Sequence, residues 1–264
     1  MNGMLLALWQ YRAFVASSIR NEFLNRFARS RLGGLWIILN PLMQVLIFAL
    51  VLSNVLAAKL PGIDNPNAYP LYLMAGSLAW GLFSEIVGRC LNLFIEQGRL
   101  MKQIRFPRVT LPAIAVGSSL LNNLLLFISI LFIFTLMGHT PTVFALLILP
   151  LTLVTTIMAT SLGLFLGILN VFFRDLAQVV PVLLQIVFWL TPIVYPLSAI
   201  PEAYKPLLEY NPIYPLISAY HDALVFGEFP EWSSLTAITL ISVLVLLFAL
   251  FIFRRASADM VDVL

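Results

Sequence analysis

From Val109 to Phe173 the chain carries no aspartate, glutamate, lysine or arginine, and so long an uncharged run points to a lipid environment. About 20 apolar residues cross the hydrocarbon core as a helix, which makes this run too long for one crossing. Gly138-His139-Thr140-Pro141 places turn residues near its middle and divides it into two spans. A lone charge at mid-bilayer costs at least about 2.5 kcal/mol, so other uncharged gaps mark further spans. Leu32 to Ala58 is one, and Asn65 to Ser84 is a second whose helix is predicted to continue past Glu85 and Arg89 to Ile95. Leu176 to Pro201 and Trp232 to Phe253 complete a set of six. With 61% hydrophobic and 10% charged residues among 264, no large soluble domain fits beside them. The expected fold is an all-α membrane protein, one domain over residues 1–264 with six transmembrane helices.

Between the fifth and sixth spans, residues 198–231 have a different texture, rich in proline and carrying Glu202, Lys205, Glu209, Asp222, Glu228 and Glu231. Apolar pieces such as Pro212 to Ala219 are too short to cross. They read either as re-entrant helices that dip into the outer leaflet, where protein or water must satisfy the backbone, or as a plain loop.

Basic residues set the orientation. Arg12, Arg20, Arg26, Arg29 and Arg31 precede span one; Arg99, Lys102, Arg105 and Arg108 lie between spans two and three; Arg174 joins four to five; Arg254 and Arg255 follow six. With six spans all of these fall on one side, against Lys59 and Lys205 on the other. The positive-inside rule makes that side cytoplasmic and places both termini there. The net charge of +3 thus reports topology and does not call for a nucleic-acid partner.

Catalytic motifs are missing from the sequence: it has no glycine-rich Lys-Ser/Thr phosphate loop, no His-Glu-x-x-His and no Gly-x-Ser-x-Gly elbow. His139 and His221 have no carboxylate at ligand spacing and read as solvated or interfacial side chains, so no metal site is expected. Cys90, the single cysteine, excludes an intrachain disulfide and reads as an apolar filler.

Five features remain. Glu85 and Arg89 share a face of span two and can pair, either to orient the helix or to line a polar path. Ala159, Gly163 and Gly167 form a small-residue stripe along span four, suited to close packing within the subunit or against a second copy. Residues 1–31 mix arginines with Trp9, Tyr11, Phe14, Phe23 and Phe27, a pattern for an interfacial helix on the inner surface. The stretch 97–108 combines Arg99, Lys102, Arg105 and Arg108 with Leu100, Met101, Ile104 and Phe106. Cations alone would set topology, so the interleaved apolar residues suggest a short helix that docks on a cytoplasmic partner, ended by Pro107. Among the aromatics, Phe83, Phe172, Phe188, Trp189 and Tyr195 read as packing residues or interface anchors.

In this order and spacing, several stretches resemble the permeases of ABC-2 type exporters, in particular the polysaccharide and O-antigen branch. They are R-S-R-L-G-G-L-W-I-I-L-N-P-L (Arg29 to Leu42), W-G-L-F-S-E (Trp80 to Glu85), F-P-R (Phe106 to Arg108), F-R-D-L (Phe173 to Leu176), T-P-I-V-Y-P (Thr191 to Pro196) and N-P-I-Y-P-L-I-S-A-Y (Asn211 to Tyr220). The resemblance implies a homodimer in a Gram-negative inner membrane, bound to two copies of a separate ATPase that holds ATP and Mg, with no cofactor in this chain. It implies export of a glycan attached to polyprenyl pyrophosphate. Arg99 to Phe106 then corresponds to the coupling helix, and Arg174 with Asp175 to a second ATPase contact. Arg29, Arg31, Leu32 and Gly33 lie where the lipid pyrophosphate enters, though the Leu32-Gly33 turn is equally a tight lead into span one. Phe83, Glu85, Arg89, Phe172, Phe188, Trp189 and Tyr195 are candidates for the conduit and gate, and the dipping segment for the extracytoplasmic gate. A teichoic acid, capsule, lipid or drug as cargo, or a flippase or enzyme working without ATP, are the alternatives.

Overall fold

The computed structural model describes residues 2–28, 68–103, 106–136, 138 and 142–263, with isolated positions at 35, 36, 39 and 43. Span one and the Arg29, Arg31, Leu32, Gly33 cluster therefore lie outside the described residues, as do Ile104, Arg105 and His139. Every regular element among the described residues is helical.

Two helices open the chain, α1 (Asn2–Gln10) and α2 (Arg12–Ala28). Backbone bonds from Tyr11 to Ala7 and from Val15 to Tyr11, both 3.0 Å, run them together with only a slight break. Arg12 curls back, its guanidinium 4.7 Å from the centre of the Trp9 ring. Trp9 and Phe14 stay exposed, in keeping with a helix that lies along an interface. α2 is seated by Ile19, whose side chain lies over Gly117; a Cβ there would come within 2.4 Å of it.

Among the described residues, four helices are long and apolar enough to cross a membrane. They are α3 (Ala68–Glu96), α5 (Thr110–Leu136), α6 (Ile148–Phe172, entered through a 3-10 turn at Val143–Leu147) and α10 (Trp232–Val263). They match the expected second, third, fourth and sixth spans. The break between α5 and α6 falls at the predicted turn, where Gly138 takes a φ of 78° that other residues adopt at a cost. α3 is the most enclosed of the four, and packs against α5, α6 and, through its first half, the segment before α10.

The small-residue stripe on α6 lies against α3. A Cβ on Gly163 would sit 2.9 Å from the Cys90 Cβ and 3.0 Å from the Val87 Cα, and one on Gly167 only 2.2 Å from the Cys90 carbonyl oxygen. The stripe thus serves packing within the chain, and Cys90 is the buried filler expected. Asn170 and Asn123 tie the helices further, donating Nδ2 to the carbonyls of Leu91 (2.9 Å) and Leu78 (3.0 Å).

The fifth expected span is shorter than its uncharged stretch. α7 (Leu176–Leu190) has 15 residues, about 22 Å at 1.5 Å per residue, against a hydrocarbon core of roughly 30 Å. It ends because Thr191 precedes Pro192 and is held extended, with φ −99° and ψ 136°. The expectation of a helix to Pro201 is thereby corrected: absence of charge marks an apolar stretch, not the length of helix within it. Beyond it come two 3-10 turns, α8 (Lys205–Glu209), α9 (Tyr214–His221) and a π turn at Asp222–Phe226. α9 buries Leu216, Ile217, Ala219 and Tyr220 and contacts α3 and α6, so this part of 198–231 is packed structure and not a plain loop.

Candidate functional site

At the end of α3 near Glu96 the chain turns into α4 (Gly98–Gln103). Met101 is buried with Leu93, Leu111 and Phe253, and Leu100 and Phe106 pack on the same cluster. Arg99 and Lys102 are exposed. Leu100, Met101 and Phe106, which sequence reasoning assigned to a partner, therefore anchor α4 to its own bundle, and Arg99 and Lys102 project from it. Arg108 is half-buried. Phe106 also meets Phe14 of the N-terminal helices, ring centres 6.4 Å apart. Arg174 and Asp175 are exposed on the turn between α6 and α7. Asn170 fixes that turn, accepting from the Ala177 amide at 3.1 Å while its Nδ2 holds Leu91. Asn170 was missed by sequence reasoning because a single amide in an apolar helix looks like a tolerated polar residue.

Arg89 has more partners than the sequence suggested. Its Nη1 is 3.6 Å from Glu85 Oε1, the expected pair, but its Nη2 is 2.5 Å from Oε1 of Glu22 in α2. Asn122 donates to Glu85 at 2.8 Å and Ser118 to Glu22 at 2.7 Å. Two carboxylates, one guanidinium and two neutral donors form a half-buried network that joins α2, α3 and α5. Glu22 was missed because it sits in a polar helix far from Arg89 in sequence.

Four of the five aromatic conduit candidates come together. Phe83 and Phe188 lie 5.8 and 5.6 Å from Trp80, Trp189 is 5.3 Å from Phe188, and the Tyr195 hydroxyl donates to the Trp189 carbonyl at 2.6 Å. Within the group Phe83 is 1% exposed and belongs to the core, whereas Trp189 is 54% exposed. Phe172, at the far end of α6, lies apart and exposed.

The opposite end of α3 joins the T-P-I-V-Y-P and N-P-I-Y-P motifs. Tyr69 donates its hydroxyl to the Val194 carbonyl, and Tyr72 donates to Pro192 at 3.1 Å. Asn211 reaches Thr191 Oγ1 at 2.8 Å. His221 is not the solvated side chain expected. It is 3% exposed and stacks on Tyr72 with ring centres 3.6 Å apart. Its Nε2 is 3.1 Å from the Tyr72 carbonyl; a carbonyl only accepts, so Nε2 carries the proton. Burial holds its pKa down at about 3, and the ring stays neutral. The reason is tertiary: α9 lays this residue against α3, and a Cβ on Gly76 would come 2.8 Å from Nε2. Next to it, burial first and Glu228 second push the Asp222 carboxyl up to about 6.

No group of His, Cys, Asp or Glu able to hold a metal occurs among the described residues. Long apolar helices, a cation-bearing surface helix at one end and a proline-rich packed segment at the other define an integral, multi-pass membrane protein. The chain belongs to the ABC-2 type transporter family, whose model matches residues 14–225. It is 31% identical over 257 residues to the O-antigen export system permease protein RfbA of Myxococcus xanthus, covering 97% of this chain and 96% of that one. A permease of the same name from Klebsiella pneumoniae is 28% identical over 76% of each chain. The polysialic acid transport protein KpsM of Escherichia coli is 27% identical over 90% of this chain and 92% of its own length.

Proposed function

We propose that this chain is the transmembrane subunit of an exporter that moves an O-antigen-type polysaccharide, carried on polyprenyl pyrophosphate, across the inner membrane. Two copies form the path, both termini are cytoplasmic, and two copies of a separate ATPase bind ATP and Mg and supply the energy. The observation that carries this reading is the near end-to-end likeness to an O-antigen export permease. The likeness to a polysialic acid transport protein over most of its length favours a polysialic-acid-type polymer as the second reading.

The geometry supports a division of labour. α4 and the turn bearing Arg174 and Asp175 are the coupling surfaces: Met101 fixes α4 to the bundle, so a push on Arg99 or Lys102 moves the ends of α3, α5 and α10 together. By the resemblance in sequence, Arg29, Arg31, Leu32 and Gly33 receive the lipid pyrophosphate, and the two arginines supply the charge an anion needs. Trp189, with Phe188 and Tyr195, offers the sugar chain an amphipathic surface. The Glu22, Glu85, Arg89 network holds the N-terminal helices to the gate of this path, and the segment 198–231 dips back as its extracytoplasmic closure.

Affinity purification from native membranes is the test. The tagged chain is expected to bring down an ATPase bearing a phosphate loop in about equal amount. Reversing charge in the double variant Arg99→Glu/Lys102→Glu should lower the recovered ATPase at least about tenfold, which equals 1.4 kcal/mol, with the permease still inserted. No ATPase with the wild-type chain would overturn the reading.

A further inference from the structure

A cavity of about 280 Å³ opens beside the Tyr72–His221 stack, lined among others by Tyr72, Ser198, Tyr214, Ser218, Asp222 and Phe226. It lies at the end of α3 opposite the coupling helix. The π turn sets its chemistry: a π helix brings residues four and five apart onto one face, and both Asp222 and Phe226 line the cavity. Gly227, in the left-handed region at φ 67°, closes the turn with its amide on the Asp222 carbonyl. The Tyr72 ring is fixed by His221 on one side and by its hydroxyl's bond to Pro192. Tyr214 and Ser218 lie on the lining beside Asp222. Among the described residues the Asp222 carboxylate has neither a hydrogen-bond nor an ion-pair partner, although it is half-buried.

We infer that this cavity binds a single pyranose ring of the transported chain, with the Asp222 carboxylate accepting from sugar hydroxyls and aromatic faces covering the ring's C–H surface. The inference rests on the polysaccharide reading above and adds a place where the polymer is held. A half-buried carboxylate without a partner is costly unless a donor arrives, and sugar hydroxyls supply such donors in strong charge-assisted bonds. Ser198 and Ser218 can both donate and accept, which suits a ligand that does the same. The volume is just below the ~300 Å³ at which pockets for drug-sized ligands begin, so it fits one ring and not a folded stretch of chain. Asp222 and Glu228 disfavour a phosphate or other anion. The Asp222 carboxylate in the lining disfavours a lipid tail.

Photocrosslinking in cells tests this. A chain with Phe226→p-benzoylphenylalanine is expressed in the native host lacking its own copy, and adducts are detected with antiserum against the surface glycan. A control carries the same group at Leu244, an exposed position on α10. Adducts of high mass are expected from position 226 and not from 244, and adding Asp222→Asn should reduce their yield at least fivefold at equal membrane level. If the wild-type chain exports polymer and position 226 gives no adduct, the site is refuted while the exporter reading stands. Adducts undiminished by Asp222→Asn would overturn the role of the carboxylate and with it the site. If the wild-type chain exports no glycan, it is the exporter reading that fails.

Discussion

Gly167→Ala is expected to leave little assembled protein in the membrane. The added Cβ would lie 2.2 Å from the Cys90 carbonyl oxygen and 3.1 Å from its carbonyl carbon. Both belong to the backbone of α3, so no side chain can swing aside and the two helices must separate. Separation loosens the most extensive helix contact among the described residues, where Ala159, Cys90, Val87 and Ile86 are all at most 1% exposed. Overpacking typically costs 1–3 kcal/mol, and more where backbone meets backbone. In lipid, close packing is a main force between helices, which makes its loss severe. An expected cost of about 3 kcal/mol or more should appear as aggregation or a strongly lowered melting midpoint in detergent. Gly88→Ala is the control: no described atom lies within 4 Å of its added Cβ, and helix propensity there favours alanine by up to about 1 kcal/mol. If Gly167→Ala melts with the wild type, the close approach of α3 and α6 is wrong.

Arg89→Met is expected to destabilise the protein by about 2–3 kcal/mol and to release the N-terminal helices. The substitution strands Glu22 and Glu85 in a half-buried site. Removing one partner of a fully buried pair costs 3–5 kcal/mol, and here the three side chains keep 23% to 34% exposure, which lets water offset part of it. The triple variant Arg89→Met/Glu22→Gln/Glu85→Gln should recover most of the loss, because Ser118 and Asn122 can still hydrogen-bond the two amides. Limited proteolysis between α2 and α3 together with thermal melting checks both. A triple variant no better than the single one would show that the charges do not hold α2 in place.

Much of the architecture was legible in charge gaps, since a misplaced charge in lipid costs more than any local propensity. Those gaps located α3, α5, α6 and α10, and Gly138 marked the turn between two of them. The fifth stretch misled because a run without charge says nothing of where a Thr-Pro step stops the helix. The stretch between α3 and α5 was read as a helix, which α4 bears out, but its apolar residues were assigned outward when the bundle itself covers Met101. Glu22 and His221 were not legible. Each is positioned by contact with α3 across a long stretch of sequence, and neither lies at helical spacing from its partner. The same holds for the aromatic group around Trp80, where spacing alone gave no sign that Phe83 is core and Trp189 surface.

Disrupting the gene in its native host and locating the finished polymer tests the central claim most directly. The account predicts that lipid-linked glycan accumulates in the cytoplasm, reaches the surface again when the wild-type chain is supplied, and stays inside when the Arg99→Glu/Lys102→Glu chain is supplied. Polymer that still arrives at the cell surface without this chain would contradict it.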